Sequence, residues 1–176
     1  MAAHDSREIG AARLVAEAFR LAFRPGAFVP TPVDDIAESL FSLRVIDDHH
    51  MTESGTLDPA AFEVRVNAAV CAAAPMRRRF TIAHEIGHYV LHAPGATGAV
   101  FCRVTDSPEA PQQLIERQAN RFAAELLMPE DLIRSEAARL GPECAVMAEL
   151  FQVSTPAMGW RLYNLGLATT RPDQSA

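Results

Sequence analysis

Two histidines, His84 and His88, stand four residues apart, with Glu85 directly after the first. On an α-helix, positions four apart are stacked neighbours with Cβ atoms roughly 5–6 Å apart, so both imidazoles can reach one small cation. Glu85 is rotated about 100° from His84 around the helix axis, which puts its carboxylate beside the cation's open position and not on the cation itself. A divalent ion held by neutral imidazoles lowers the pKa of water in that open position to about 7. A carboxylate poised there takes the proton as hydroxide attacks. The chemistry these residue types would perform is hydrolysis of a carbonyl such as that of a peptide bond.

The element that must present them is a helix from Pro75 to His92. Around it, Thr81, His84, Glu85, His88 and His92 share one sector, while Phe80, Ile82, Ala83, Ile86, Val90 and Leu91 fill the remainder. A helix apolar over most of its girth is buried, so the ligand sector should look into a cleft. Gly87 costs roughly 1 kcal/mol relative to alanine in a helix, and its presence predicts close packing by another element. His92 lies about 12 Å from His84 along the axis, too far to share the ion. Its place in the last turn predicts that the helix dipole favours its charged form.

A catalytic ion normally takes three protein ligands, so one more is needed. A second helix is expected from Pro111 to Met128, with Leu114, Ile115, Ala119, Phe122, Ala123, Leu126 and Leu127 as its apolar face and Pro129 as its stop. Glu116 and Asn120 stand one turn apart at the edge of that face. Glu116 is the candidate third ligand and Asn120 the candidate hydrogen-bond partner of a ligand imidazole. Glu125, two and a half turns further along, is the reserve ligand.

The run Arg79-Phe80-Thr81-Ile82-Ala83-His84-Glu85-Ile86-Gly87-His88 through Leu91-His92, followed by Glu116, Ala119-Asn120 and Phe122-Ala123-Ala124-Glu125-Leu126-Leu127-Met128-Pro129, resembles the ImmA/IrrE family of intracellular metallopeptidases. Weaker similarity extends the match to about residues 31–167. The resemblance implies that His84, His88 and Glu116 bind the metal and that Glu85 is the general base. Zinc is the expected ion, with manganese as the alternative. It further implies a regulated endopeptidase that makes a site-specific cut in a helix-turn-helix transcriptional repressor, thereby switching on stress-response or mobile-element genes. A reading from another class is a catalytically silent module that keeps the metal for stability and sequesters a repressor or antitoxin partner, or binds DNA.

Composition fits these expectations. At 176 residues and 49% hydrophobic content, the chain can bury a core in one main domain. All 16 basic residues are arginine, and the net charge of −6 argues against a general nucleic-acid binder. Arg77-Arg78-Arg79, the one basic cluster, is expected to position the start of the motif helix or an acidic partner. Cys71, Cys102 and Cys144 are odd in number and far apart, which suggests a reducing compartment and no disulfide framework. Cys102 is expected to be a buried, unligated thiol. The apolar stretch from Ile9 to Phe23 is broken by Arg13, Glu17 and Arg20, unlike a signal peptide or a membrane span. A cytoplasmic protein without membrane association is expected.

The fold class expected is α+β: a zincin-like metallopeptidase domain with a small sheet of about three strands packed on helices, then a helical, helix-turn-helix-like unit. The first domain takes residues 1–128, including an N-terminal helix from Ser6 to Arg24 stopped by Pro25-Gly26. A second helix is expected to Ser42, N-capped by Thr31. Strands are expected at Arg44 to Asp47, Met51 to Leu57 and Phe62 to Asn67, with Phe62, Val64 and Val66 on one face and Glu63 and Arg65 on the other. The connection from Pro94 to Pro108 reads as a lid or a plain surface loop, with a short strand at Ala99 to Val104. Residues 129–167 form the helical unit packed on the first domain, and residues 168–176 a flexible tail. Ser154 is its expected N-cap, and Gln152 fills a turn position where glycine is common. The helix after that turn carries only Arg161 as a base-reading cation, so a protein substrate is expected here, not DNA.

Overall fold

A computed structural model describes residues 7–23, 29–93, 101–102 and 110–172, with the backbone alone of 101–102 and 110–112. Among the described residues the order is α1 (Arg7–Phe23), α2 (Val33–Phe41), β1 (Arg44–Asp48), β2 (Gly55–Asp58), β3 (Glu63–Asn67), α3 (Ala68–Ala73), α4 (Pro75–His92), β4 (Phe101–Cys102), α5 (Ala110–Leu127), α6 (Glu130–Leu140), α7 (Cys144–Phe151) and α8 (Thr155–Asn164). This is the expected α+β architecture, a small mixed sheet packed on helices and followed by short helices. The sheet has the order β1-β3-β2-β4, with β1 parallel to β3 and β2 antiparallel to both β3 and β4. The short strand anticipated between the ligand helices is the two-residue β4, paired at Thr56 with Cys102 and at Leu57 with Phe101. The rest of that connection, the Cys102 side chain, the Pro25-Gly26 stop and residues 173–176 lie outside the described residues.

One face of the sheet packs against α4 through Leu57, Val64 and Val66, all fully buried. Phe62 does not join them. It is 48% exposed and has φ of +54°, because the chain turns there before the strand begins at Glu63. Its carbonyl accepts from Arg44 N–H at 2.8 Å, which starts the parallel pairing of β1 with β3. Glu63, expected on the wet face, is buried, with its carboxylate held by Arg44 and Arg65.

Thr31 likewise departs from its expected role. Pro32 occupies the N-cap position of α2 without a side-chain bond, and the Thr31 hydroxyl instead donates to the Leu126 carbonyl at 2.9 Å. Leu126 lies in the last turn of α5, where carbonyls lack helical partners, so the hydroxyl satisfies one of them and ties the start of α2 to α5. The short helix α3 was not anticipated. The Asn67 side chain caps it by accepting from Ala69 N–H and Val70 N–H, and donates to the Met51 carbonyl at 2.8 Å.

Helix α4 follows with Pro75 in its first turn, where a missing N–H costs nothing. The arginine cluster fixes this end. Arg78 pairs with Asp34 and Asp47, at 2.7 and 3.0 Å, and Arg79 donates to the carbonyls of Thr31 and Gln152, at 2.8 and 3.2 Å. From Thr81 to His88 every residue of α4 is buried. Its largest contact is with α5, and Gly87 sits at that contact. A Cβ at Gly87 would lie 3.1 Å from Phe122 Cδ1 and 3.3 Å from the Ala119 Cα and carbonyl oxygen. The close packing expected at this glycine is therefore present, and much of it is against backbone. Gly87→Val should destabilise the fold by about 2 kcal/mol through overpacking, read as a lower urea midpoint.

Candidate metal centre

The helical register of α4 brings the rings of His84 and His88 together edge to face, with centroids 4.6 Å apart, and α5 brings Glu116 across to meet them. The two Nε2 atoms are 2.9 Å apart. Glu116 Oε2 lies 3.2 Å from His84 Nε2, and Oε1 lies 3.3 Å from His88 Nε2. Ligands about 2.0–2.1 Å from a shared tetrahedral centre stand about 3.3–3.4 Å from one another, so these three side chains fit a divalent ion. Two imidazoles and a carboxylate are a donor set suited to zinc or manganese.

Asn120, one turn after Glu116, places Oδ1 3.0 Å from His84 Nδ1. An amide oxygen only accepts, so His84 carries its proton on Nδ1 and turns the Nε2 lone pair towards Glu116. His84, Glu85 and His88 are each 2% exposed, whereas the Glu116 side chain is 26% exposed, so the centre opens on the α5 side. Burial pushes the Glu116 carboxyl up. When the two imidazoles are protonated, their hydrogen bonds and charge outweigh it and hold Glu116 well below the usual carboxylate range.

Glu85 faces the sheet. A Cβ on Gly55 of β2 would lie 3.0 Å from Glu85 Oε1 and 2.3 Å from Thr81 Cγ2, so only a glycine lets this strand pass so close to the carboxylate. The sequence reading did not single out Gly55. Its signal was a glycine inside a strand, which often marks a close backbone approach.

The remaining candidates go elsewhere. His92 is not in the cluster, and its ring lies 5.5 Å from that of His88. Burial pushes its pKa down, and the charges of His88 and Arg7 add to the effect, which reverses the expectation from the helix dipole. Glu125, the reserve ligand, is 2% exposed and accepts from Arg13 and Arg161 instead. Arg161 also donates to the Met128 carbonyl at 2.9 Å. Trp160 and Tyr163 pack edge to face with ring centroids 6.1 Å apart.

The IrrE N-terminal-like domain family of peptidases matches residues 63–163, more than half of the chain. The chain belongs to this family. All five candidate site residues of the IrrE-like chain fall inside the matched segment. The radiation response metalloprotease IrrE of Deinococcus radiodurans is 35% identical over 120 residues, covering 67% of this chain and 35% of the relative. The protein of the same description from Deinococcus deserti is 34% identical over 120 residues, covering 67% of this chain and 41% of its own length. The match therefore spans well under half of either relative. No described helix of this IrrE-like chain is long and apolar enough to cross a membrane.

Removing Glu125 separates its structural role from that of a ligand. Glu125→Ala leaves the part-buried Arg161 without its carboxylate, and should cost about 3 kcal/mol in urea denaturation. Its affinity for zinc, titrated under native conditions, should match that of the unsubstituted protein.

Proposed function

We propose that this chain is a metal-dependent endopeptidase that makes a site-specific cut in a helix-turn-helix transcriptional repressor. The observation that carries the reading is the meeting of His84, His88 and Glu116 ligand atoms within 4.8 Å, next to the buried Glu85. Zinc is the ion proposed, with manganese as the alternative. Bound there, it would supply Lewis-acid polarisation of the scissile carbonyl and a water that is nucleophilic at neutral pH. Glu85 receives the proton of the attacking water and returns it to the leaving amine, as a general base that becomes a general acid. Asn120 holds the His84 ring in one tautomer and one orientation. Glu116, kept as an anion, adds negative charge to the ligand set.

The relatives' description as radiation response metalloproteases supports both the peptidase chemistry and a stress-response setting. The choice of a helix-turn-helix repressor rests on the family resemblance. Free Cys71 and Cys144 and the charge-interrupted α1 support a cytoplasmic setting. Residues 129–167 serve in this reading as a docking and bracing unit. Arg161, its one base-reading candidate, is held by Glu125, which argues for a protein substrate over DNA.

The test is a gel assay of the metal-loaded protein against the helix-turn-helix regulator encoded nearest to it, with Glu85→Gln and Asn120→Ala alongside. A discrete cut is expected, slowed at least about 100-fold in Glu85→Gln while metal content is unchanged. Asn120→Ala should lower metal affinity about 10- to 100-fold. No cut, with a stable complex formed by both the parent protein and Glu85→Gln, would replace the peptidase reading with sequestration.

A further inference from the structure

Beside the metal centre a groove of about 860 Å³ runs between α5 and α8, bordered also by α1 and by Phe80 of α4. It begins close to the ligands. Asn120, which holds His84, is in its wall, and the Phe80 ring lies 6.2 Å from that of His84. Phe80 and Trp160 give the groove its aromatic surface.

Its charge is unlike that of the rest of the chain. Four arginines (Arg13, Arg121, Arg134 and Arg161) and two glutamates (Glu125 and Glu130) line it, a balance of +2 on a chain of net −6. Three of the four cations are already committed. Arg13 pairs with Glu125 and Glu130, Arg134 with Glu130, and Arg161 with Glu125. Arg121 is exposed and has no acidic partner among the described residues. It stands one position after Asn120, on the helix that supplies Glu116.

We propose that this groove docks the partner protein through an acidic side chain flanked by apolar residues, with Arg121 as the cation that reads the acid. The proposal rests on the peptidase reading and adds a substrate preference to it. A guanidinium presents a planar fork that matches one carboxylate in a bidentate pair, and such a pair is strongest where neighbouring aromatic walls exclude water. A nucleic-acid backbone would call for a row of open cations along its track, whereas the groove offers one.

Trp160 is the chain's one tryptophan, so its emission reports occupancy of the groove. The probes are the blocked tetrapeptide Leu-Glu-Glu-Leu, its Leu-Gln-Gln-Leu counterpart and an oligothymidylate, titrated against the metal-loaded Glu85→Gln variant so that nothing is cut. The acidic peptide should change Trp160 emission saturably and bind about tenfold more tightly than the glutamine peptide, a preference that salt weakens. Adding Arg121→Glu should abolish the preference without moving the thermal midpoint, since the side chain is exposed. Equal affinities, a preference that survives Arg121→Glu, silent emission, or oligothymidylate binding in place of peptide binding would each overturn the proposal. A repressor cut in the gel assay without any peptide preference would sink this groove and leave the peptidase. A clear preference with no cut would do the reverse.

Discussion

The candidate metal centre depends on how closely α4 and α5 approach each other. His84 and His88 are placed by helical geometry alone, but Glu116 reaches them only because Gly87 lets the Ala119 backbone come within 3.3 Å of where a Cβ would stand. Ala119 sits between Glu116 and Asn120 in the sequence, so the contact sets their register. With it fixed, the carboxylate of Glu116 meets the two Nε2 atoms, and the Asn120 amide meets the Nδ1 atom of the same His84. Seating the helices one turn out of step would move both groups by about 5.4 Å and leave the imidazoles without either partner. The apolar face of α5, with Phe122, Ala123, Leu126 and Leu127 fully buried, holds the helix in that register.

A second close approach works from the sheet side. Gly55 lies where β2 crosses Glu85, and β2 is held in place by β3 on one side and β4 on the other. The carboxylate is thereby confined between a rigid backbone and its own helix. The general-base role proposed for Glu85 needs such confinement, since a base's contribution depends on being held within hydrogen-bond reach of the proton it takes. Glycines on two different elements thus set the geometry of one candidate site, Gly87 for the proposed ligands and Gly55 for the Glu85 carboxylate.

The legible parts of the sequence were those where function and local structure share a period. His84, Glu85 and His88 declare themselves by spacing, Pro75 marks the start of their helix, and Glu116 and Asn120 follow from the edge of an apolar stripe. The failures share a different cause. Thr31 looks like a cap, yet its hydroxyl goes to a carbonyl 95 residues away. Glu125 looks like a spare ligand until Arg13 and Arg161 arrive from helices far apart in sequence. Phe62 fits the alternation of a strand, but Arg44 recruits its carbonyl for the parallel pairing and the side chain turns outward. In each case a partner distant in the chain decided between two locally reasonable roles.

In the α7–α8 unit the one cation of the second helix is turned inward. Gln152 has φ of +51° at the turn between α7 and α8, a left-handed conformation that costs a non-glycine residue roughly 1 kcal/mol or more. The surroundings hold it there. The Gln152 carbonyl accepts from Arg79, near the start of α4, and Val153 after it is buried. The turn then launches α8 along a line that carries Arg161 to Glu125 and to the Met128 carbonyl. A recognition helix would keep its cation outward for a base edge or a phosphate. Here the cation points inward, neutralises a buried carboxylate on α5, and fixes the far wall of the groove beside the metal centre. The strained turn thus sets the angle between α7 and α8 at which Arg161 reaches both Glu125 and the Met128 carbonyl, joining α8 to α5.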